Sequence, residues 1–249
     1  VYFKEEINMN SLSICTVCQD EEEPIKWYLE CCKRLSQDLG DSLHEVVLVD
    51  GGSKDNTIDI INSYKDSVPI KLLERTWDYT VAQTNYGLSF CTGDFTFLSD
   101  ADMTWTFNLG DVFKTGIFNR NNYWDFPLFF TAKDAYHHFP WSNGGVTTRL
   151  IKGGIKMRTD RKYHWVPEGR SGGLPVCPEV ILFENSCRLT SKEALMNRGL
   201  RRQSCNDDMA AEGAPPGPPD RFYKAAQSLD NIILLPENIR RFILETTNA

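Results

Sequence analysis

Four short apolar runs divide the first hundred residues: 12–17 (LSICTV), 45–49 (EVVLV), 70–73 (IKLL) and 95–98 (FTFL). Runs this short and this apolar predict strands buried on both faces, the signature of parallel pairing. Between them lie helix signals. After the first run, Pro24 suits a first helical turn and follows an acidic cluster. Ile25, Tyr28, Leu29, Cys32, Leu35 and Leu39 then recur at spacings of three and four, and Gly40 ends the stripe. Further helices are predicted after Asp55, with Ile58, Ile61 and Tyr64 facing inward, and over 80–91. Strand alternating with helix demands right-handed crossovers, so the class is α/β with a mostly parallel central sheet flanked by helices.

The strand ends carry the chemistry. The fourth run opens after Gly93-Asp94 and stops at Ser99, where Asp100-Ala101-Asp102 follows. In open α/β sheets ligands bind beyond the carboxyl ends of the strands. Two carboxylates at one such end offer the hard oxygen donors that Mg²⁺ or Mn²⁺ prefers, and such ions complete their shells with water and substrate phosphates. The alternative is that Asp100 and Asp102 only cap a loop or helix start. The second run ends in Asp50-Gly51-Gly52-Ser53-Lys54-Asp55. Its glycines permit a tight turn close to a ligand, and Ser53 or Asp55 is placed to cap the next helix.

At 249 residues the chain is long enough for one large α/β domain with a full core. Its formal charge of −7 argues against strong nucleic-acid binding. No run of about 18 apolar residues predicts a transmembrane helix, no signal-peptide pattern opens the chain, and a cytoplasmic location is expected. No Gly-x-Gly-x-x-Gly follows the first strand of this Rossmann-like alternation, and there is no phosphate-loop lysine motif. Of eight cysteines, Cys15 and Cys18 have the spacing of half a zinc site, but strand geometry points them to opposite faces and no second pair is suitably spaced.

Beyond Asp102 the chain turns aromatic, from Trp105 through Tyr123, Trp124, Phe126, Tyr136 and Phe139 to Trp141. Core packing explains most of these rings, and one or two at a cleft mouth suit a sugar face. Residues 123–131 read as a strand, and 143–145 as a turn. Residues 147–151 and 155–158 read as paired strands joined by Lys152-Gly153-Gly154, and 180–183 as a strand ending at Glu184. A helix carrying Leu195, Met196 and Leu200 follows. Residues 206–220, with four prolines, read as a flexible loop, either a lid or a linker. Residues 221–229 and 237–244 read as closing helices.

Four motifs in order resemble family 2 glycosyltransferases with the glycosyltransferase-A fold. They are Ser11-Leu12 through Val17 to Asp20-Glu21-Glu22, Val49-Asp50-Gly51-Gly52-Ser53-Lys54-Asp55-Asn56-Thr57, Trp77 through Thr84-Asn85-Tyr86-Gly87-Leu88, and Gly93-Asp94 through Asp100-Ala101-Asp102. The resemblance spans about residues 11–110 well and 145–205 loosely. Two positions depart from it: Asp20 stands where Asn is usual, and Thr84 stands where Arg is usual, which removes a cation near the donor.

The resemblance implies a nucleotide-sugar-binding half over 1–110 and a smaller acceptor-side half over 111–205, with the loop at 206–220 and a helical segment at 221–249. It implies a metal-dependent, inverting transferase taking a hexose from a UDP-type donor to a hydroxyl on a glycan, lipid-linked or small-molecule acceptor. Asp50 would accept from the base, and Thr16, Cys18 and Asp20 would line the nucleoside near Asn85. Asp100 and Asp102 would face the ribose and diphosphate through Mn²⁺ or Mg²⁺. Relatives show His-Glu at the end of a segment like 163–168 and a His at the position of Glu184. Glu168 is accordingly the expected base, with Glu179, Glu184 and the pair Asp207-Asp208 as further candidates, Asp208 the chosen alternative. Glu184 would otherwise serve as an outer metal ligand, and His164 would be structural. The rival expectations are a catalytically silent carbohydrate- or nucleotide-binding protein on the same fold and a sugar-1-phosphate nucleotidyltransferase; the acidic loop after the first strand counts against the latter.

Overall fold

The computed structural model describes residues 10–131, 137–138, 145–160, 165–171, 173–184 and 233–234. The expectations for Tyr136, Phe139, Trp141, the turn at 143–144, His164, the helix near Leu195, the loop at 206–220 with Asp207 and Asp208, and the helices over 221–229 and 237–244 lie outside the described residues.

The alternation read from the sequence is present. Strand β1 (Leu12–Cys18) leads to helix α1 (Pro24–Leu39), β2 (Leu43–Asp50), α2 (Thr57–Ser63), β3 (Ile70–Glu74), α3 (Thr80–Leu88) and β4 (Phe95–Asp100). Next come β5 (Met103–Trp105), α4 (Leu109–Lys114), β6 (Tyr123–Phe130), β7 (His137–His138), β8 (Gly145–Lys152), β9 (Leu182–Glu184) and β10 (Ile233–Leu234). Eight strands form one sheet in the order β3-β2-β1-β4-β8-β6-β9-β5, and β7 and β10 pair separately. Four of its seven pairings are parallel and three antiparallel. The sheet is therefore mixed: the parallel half is β3-β2-β1-β4, and β8 begins the antiparallel part.

Both faces of the parallel half are covered. Leu12, Ile14, Val46, Leu48, Phe95 and Phe97 pack with α1 residues such as Ile25, Tyr28, Leu29 and Leu35. Val17, Val47 and Val49 belong to a cluster on the other face with Tyr86 of α3 packed against it, and Cys15, Val81 and Leu98 form another there. Gly87 lets α3 lie close, since a Cβ there would stand 2.8 Å from Cys15 Sγ and 2.9 Å from Val49 Cγ2. The third helix stops at Leu88 rather than Cys91. There the Ser89 hydroxyl donates to the Tyr86 carbonyl and the Cys91 thiol to that of Gly87, which caps the last turn. Among the described residues, no helix is long and apolar enough to cross a membrane.

The expected hairpin of 147–151 with 155–158 does not form. Instead β8 pairs with β4 on one side and β6 on the other, and Met157 makes only an isolated bridge to Pro167. The reason is local. The Gly153 amide donates to the Asp94 carbonyl at 2.7 Å, fastening the end of β8 to the start of β4. Asn85 then holds Met157, donating to its carbonyl at 2.9 Å and accepting from its amide at 2.8 Å. A Cβ at Gly153 would stand 2.3 Å from the Gly93 carbonyl oxygen, a backbone atom with no rotamer to yield. Gly153→Ala is expected to lower unfolding free energy by about 1–3 kcal/mol, the range for overpacking; urea denaturation read by circular dichroism checks this.

Candidate functional site

Strand order fixes where the site lies. From β1 the chain crosses to β2 on one side, while β4 lies on the other, so the connections diverge at the carboxyl ends of β1 and β4. Such a switch point leaves a crevice between loops that turn to opposite faces. Register sets two pairs of residues level there: Cys18 opposite Asp50, and Val17 opposite Asp100.

The loops after β1 and β2 are laced together. The Gly51 amide donates to the Cys18 carbonyl at 2.8 Å. The amides of Asp20, Glu21 and Glu22 donate to Ser53 Oγ, Thr57 Oγ1 and Asp55 Oδ2, while the Lys54 amide donates to Asp20 Oδ1. Asp20 holds a positive φ of 53° in this turn. Asp50 is 2% exposed, and its carboxylate accepts from the amides of Gly52 and Ser53 and from the Ser53 hydroxyl. Ser53 therefore braces Asp50. Asp55 accepts from both the amide and the hydroxyl of Thr57, at the head of α2.

A cleft of about 560 Å³ opens at the switch point, within the size range of small-molecule sites. Its walls are Val17, Cys18, Gln19 and Glu21 after β1, Asp100, Ala101 and Asp102 after β4, Thr147, Thr148 and Arg149 of β8, and Glu184 at the end of β9. Trp77, Thr80, Trp165 and Arg170 close the rim. Glu184 is 2% exposed and pairs with Met103, the residue after Asp102. The cleft thus brings together Cys18, Asp100, Asp102 and Glu184 of the residues expected from sequence.

The others lie elsewhere. Thr16 is buried against the Tyr28 hydroxyl at 2.8 Å. Asp20, Asp50 and Asn85 use side-chain oxygens on backbone amides, as described. Glu168 is exposed in a turn held by its own amide, which donates to the Lys156 carbonyl, and by its carbonyl, which accepts from the Tyr123 hydroxyl. Glu179 is exposed, with its carbonyl accepting from Asn108. Asp208 lies outside the described residues.

Sequence reasoning passed over Arg149. It stands inside β8 with its side chain 7% exposed, and its Nη2 donates to Asp100 Oδ2 at 2.9 Å. Its guanidinium lies 4.5 Å from the centre of the Trp165 ring. The Trp165 indole donates to Thr84 Oγ1 at 2.9 Å, and the Thr84 hydroxyl donates to the Thr80 carbonyl. A single arginine between Thr148 and Leu150 in a strand was the available signal. Cys18 is a neutral thiol here: burial first, then the nearby Asp50 carboxylate, push it well above the ordinary thiol range. It is therefore not poised as a nucleophile.

Carboxylates suit a hard divalent cation chemically, but one Asp100 oxygen is engaged by Arg149. Among the described residues no group of three or more His, Cys, Asp or Glu side chains is disposed to hold a metal ion. Asp102 and Glu184 are the residues that would hold one, together with oxygens brought by a ligand.

This mixed α/β sheet flanked by helices has the fold of glycosyltransferase-A structures. Residues 13–114 match the family model described as Glycosyl transferase family 2. Among solved structures, a mannosyltransferase from Pyrobaculum calidifontis in complex with GDP-Man and Mn²⁺ is similar over 97% of this chain and 74% of its own, at 15% identity and a TM-score of 0.51. That likeness is one of fold. S. aureus TarS 1–349 in complex with UDP-GlcNAc is 20% identical over 50% of this chain and 36% of its own, with a TM-score of 0.43. M. tuberculosis glucosyl-3-phosphoglycerate synthase in complex with Mn²⁺, UDP and glucosyl-3-phosphoglycerate is 16% identical over 49% of this chain and 44% of its own, with a TM-score of 0.36. The chain thus matches only about a third of the TarS length. No curated protein matches it.

The lacing of the two loops has a pH signature. Burial raises the Asp55 carboxyl, but hydrogen bonds from Thr57 and Glu22 outweigh it and hold the group below its ordinary value. A depressed folded-state value stabilises above the unfolded value, about 3.9, and the contribution is lost as pH falls through the folded value. The melting-temperature gap between wild type and Asp55→Asn should be widest near neutrality and close as pH falls below about 4; thermal unfolding across pH checks it.

Proposed function

We propose that this protein is a glycosyltransferase that moves a hexose, with inversion, from a UDP-type nucleotide sugar to an acceptor hydroxyl, using Mn²⁺ or Mg²⁺. The observation that carries the reading is the convergence of Asp100, Asp102 and Glu184 in one switch-point cleft, within and beside the segment that matches glycosyl transferase family 2. A fold shared with a GDP-Man- and Mn²⁺-bound mannosyltransferase supports it. Residues 1–110 would serve the donor and 111–205 the acceptor.

The chemistry is a single displacement. The acceptor oxygen forms a bond to the anomeric carbon as the bond from that carbon to the diphosphate oxygen breaks. The acceptor proton goes to a protein base and the nucleoside diphosphate leaves. Cys18, Gln19 and Trp77 form the wall where a nucleoside would lie. Asp102 and Glu184 would hold the cation, which when bound offsets charge growing on the leaving diphosphate. Glu168 is the proposed base; it precedes by two residues Arg170, which lines the cleft. Asp208 is the alternative.

Asp102→Ala is expected to cut transfer at least a hundredfold with unchanged unfolding, measured as nucleoside diphosphate release with added Mn²⁺; unchanged turnover would remove the metal role. Glu168→Gln is expected to lose turnover while keeping donor affinity, and loss of donor affinity instead would reassign that residue.

A further inference from the structure

Arg149 is incomplete as it stands. Its side chain is 7% exposed, and Nη2 donates to the Asp100 carboxylate at 2.9 Å. Among the described residues, the buried Nε and Nη1 atoms have no partner. Arginine has no acceptor and five N–H donors in one plane, so three of them meet no oxygen of the described residues. Buried donors are rarely left so, because an unmade bond to a buried polar group is costly. The guanidinium is also held in place, lying 4.5 Å from the Trp165 ring centre. Trp165 is in turn tied to α3 by its indole bond to Thr84 Oγ1.

We infer that Arg149 binds the diphosphate of the donor through Nε and Nη1, and that Thr84 and Trp165 position it. The planar fork of arginine matches two phosphate oxygens. Asp100 neutralises and orients the guanidinium without exhausting its donors. The Thr84 hydroxyl, giving its proton to the Thr80 carbonyl at 2.8 Å, is free to accept from Trp165 and fixes the face on which the guanidinium rests. This inference rests on the nucleotide-sugar reading. A pair of ordered waters completing Nε and Nη1 is the competing account.

The two accounts separate in calorimetric titrations with Mn²⁺ present, using UDP and GDP against uridine and guanosine. Wild type should bind a nucleoside diphosphate more tightly than its nucleoside. Arg149→Met should weaken the diphosphate at least tenfold and leave the nucleoside within twofold. Arg149→Lys should fall between, since it keeps charge without the fork. Trp165→Leu should weaken the diphosphate several-fold by the positioning route, and serves if Arg149→Met does not fold. Equal diphosphate affinity in wild type and in folded Arg149→Met and Trp165→Leu would overturn the inference and leave the nucleotide-sugar reading standing. Wild type that bound neither UDP nor GDP would defeat that reading, and this one with it.

Discussion

Parallel pairing of β1 with both β2 and β4 is the constraint on which the site depends. It brings the ends of three buried strands to one edge, and the residues at those ends include Asp50 and Asp100. Asp102 and Glu184 line the same region. Carboxylates gathered this way repel, and the repulsion grows as water is excluded. Asp50 is offset by the amides and hydroxyl of its own turn, and Asp100 by Arg149. A cation brought with a ligand and held by Asp102 and Glu184 would add to that.

The same economy of partners explains the loops. Asp20, Asp55 and Asn85 hold neighbouring backbone rather than pointing into open space. The β1 and β2 loops become one unit, and residues 155–157 are pinned to α3. A cleft with walls fixed in advance loses less entropy on binding than one that must be ordered by its ligand.

The parallel half was legible in sequence because a strand buried on both faces must be apolar throughout, as 45–49 and 95–98 are. Strand-end position then drew attention to Asp100 and Asp102, and the family resemblance to Glu184. In the antiparallel half the strands at 123–131, 147–151 and 180–183 were legible but their pairing was not. β8 pairs with β4 across some fifty residues and with β6 across a shorter gap, and neither partner is marked in its own sequence. Gly153 looked like the turn of a local hairpin, whereas its close approach to the Gly93 carbonyl serves the β4–β8 junction. Arg149 escaped for a related reason. One charge in a strand of alternating character suggests an exposed position, and only the tertiary neighbours Asp100 and Trp165 reveal a buried one.

Carboxylates at the ends of β4 and β9 are proposed to hold a cation that in turn holds a diphosphate. Diffraction from crystals soaked with Mn²⁺ and a UDP-sugar tests it most directly, through the anomalous signal of manganese. One strong peak is expected between the carboxylates of Asp102 and Glu184, with diphosphate density beside it. A peak bound elsewhere, or nucleotide density in the cleft with no manganese near those two side chains, would contradict it.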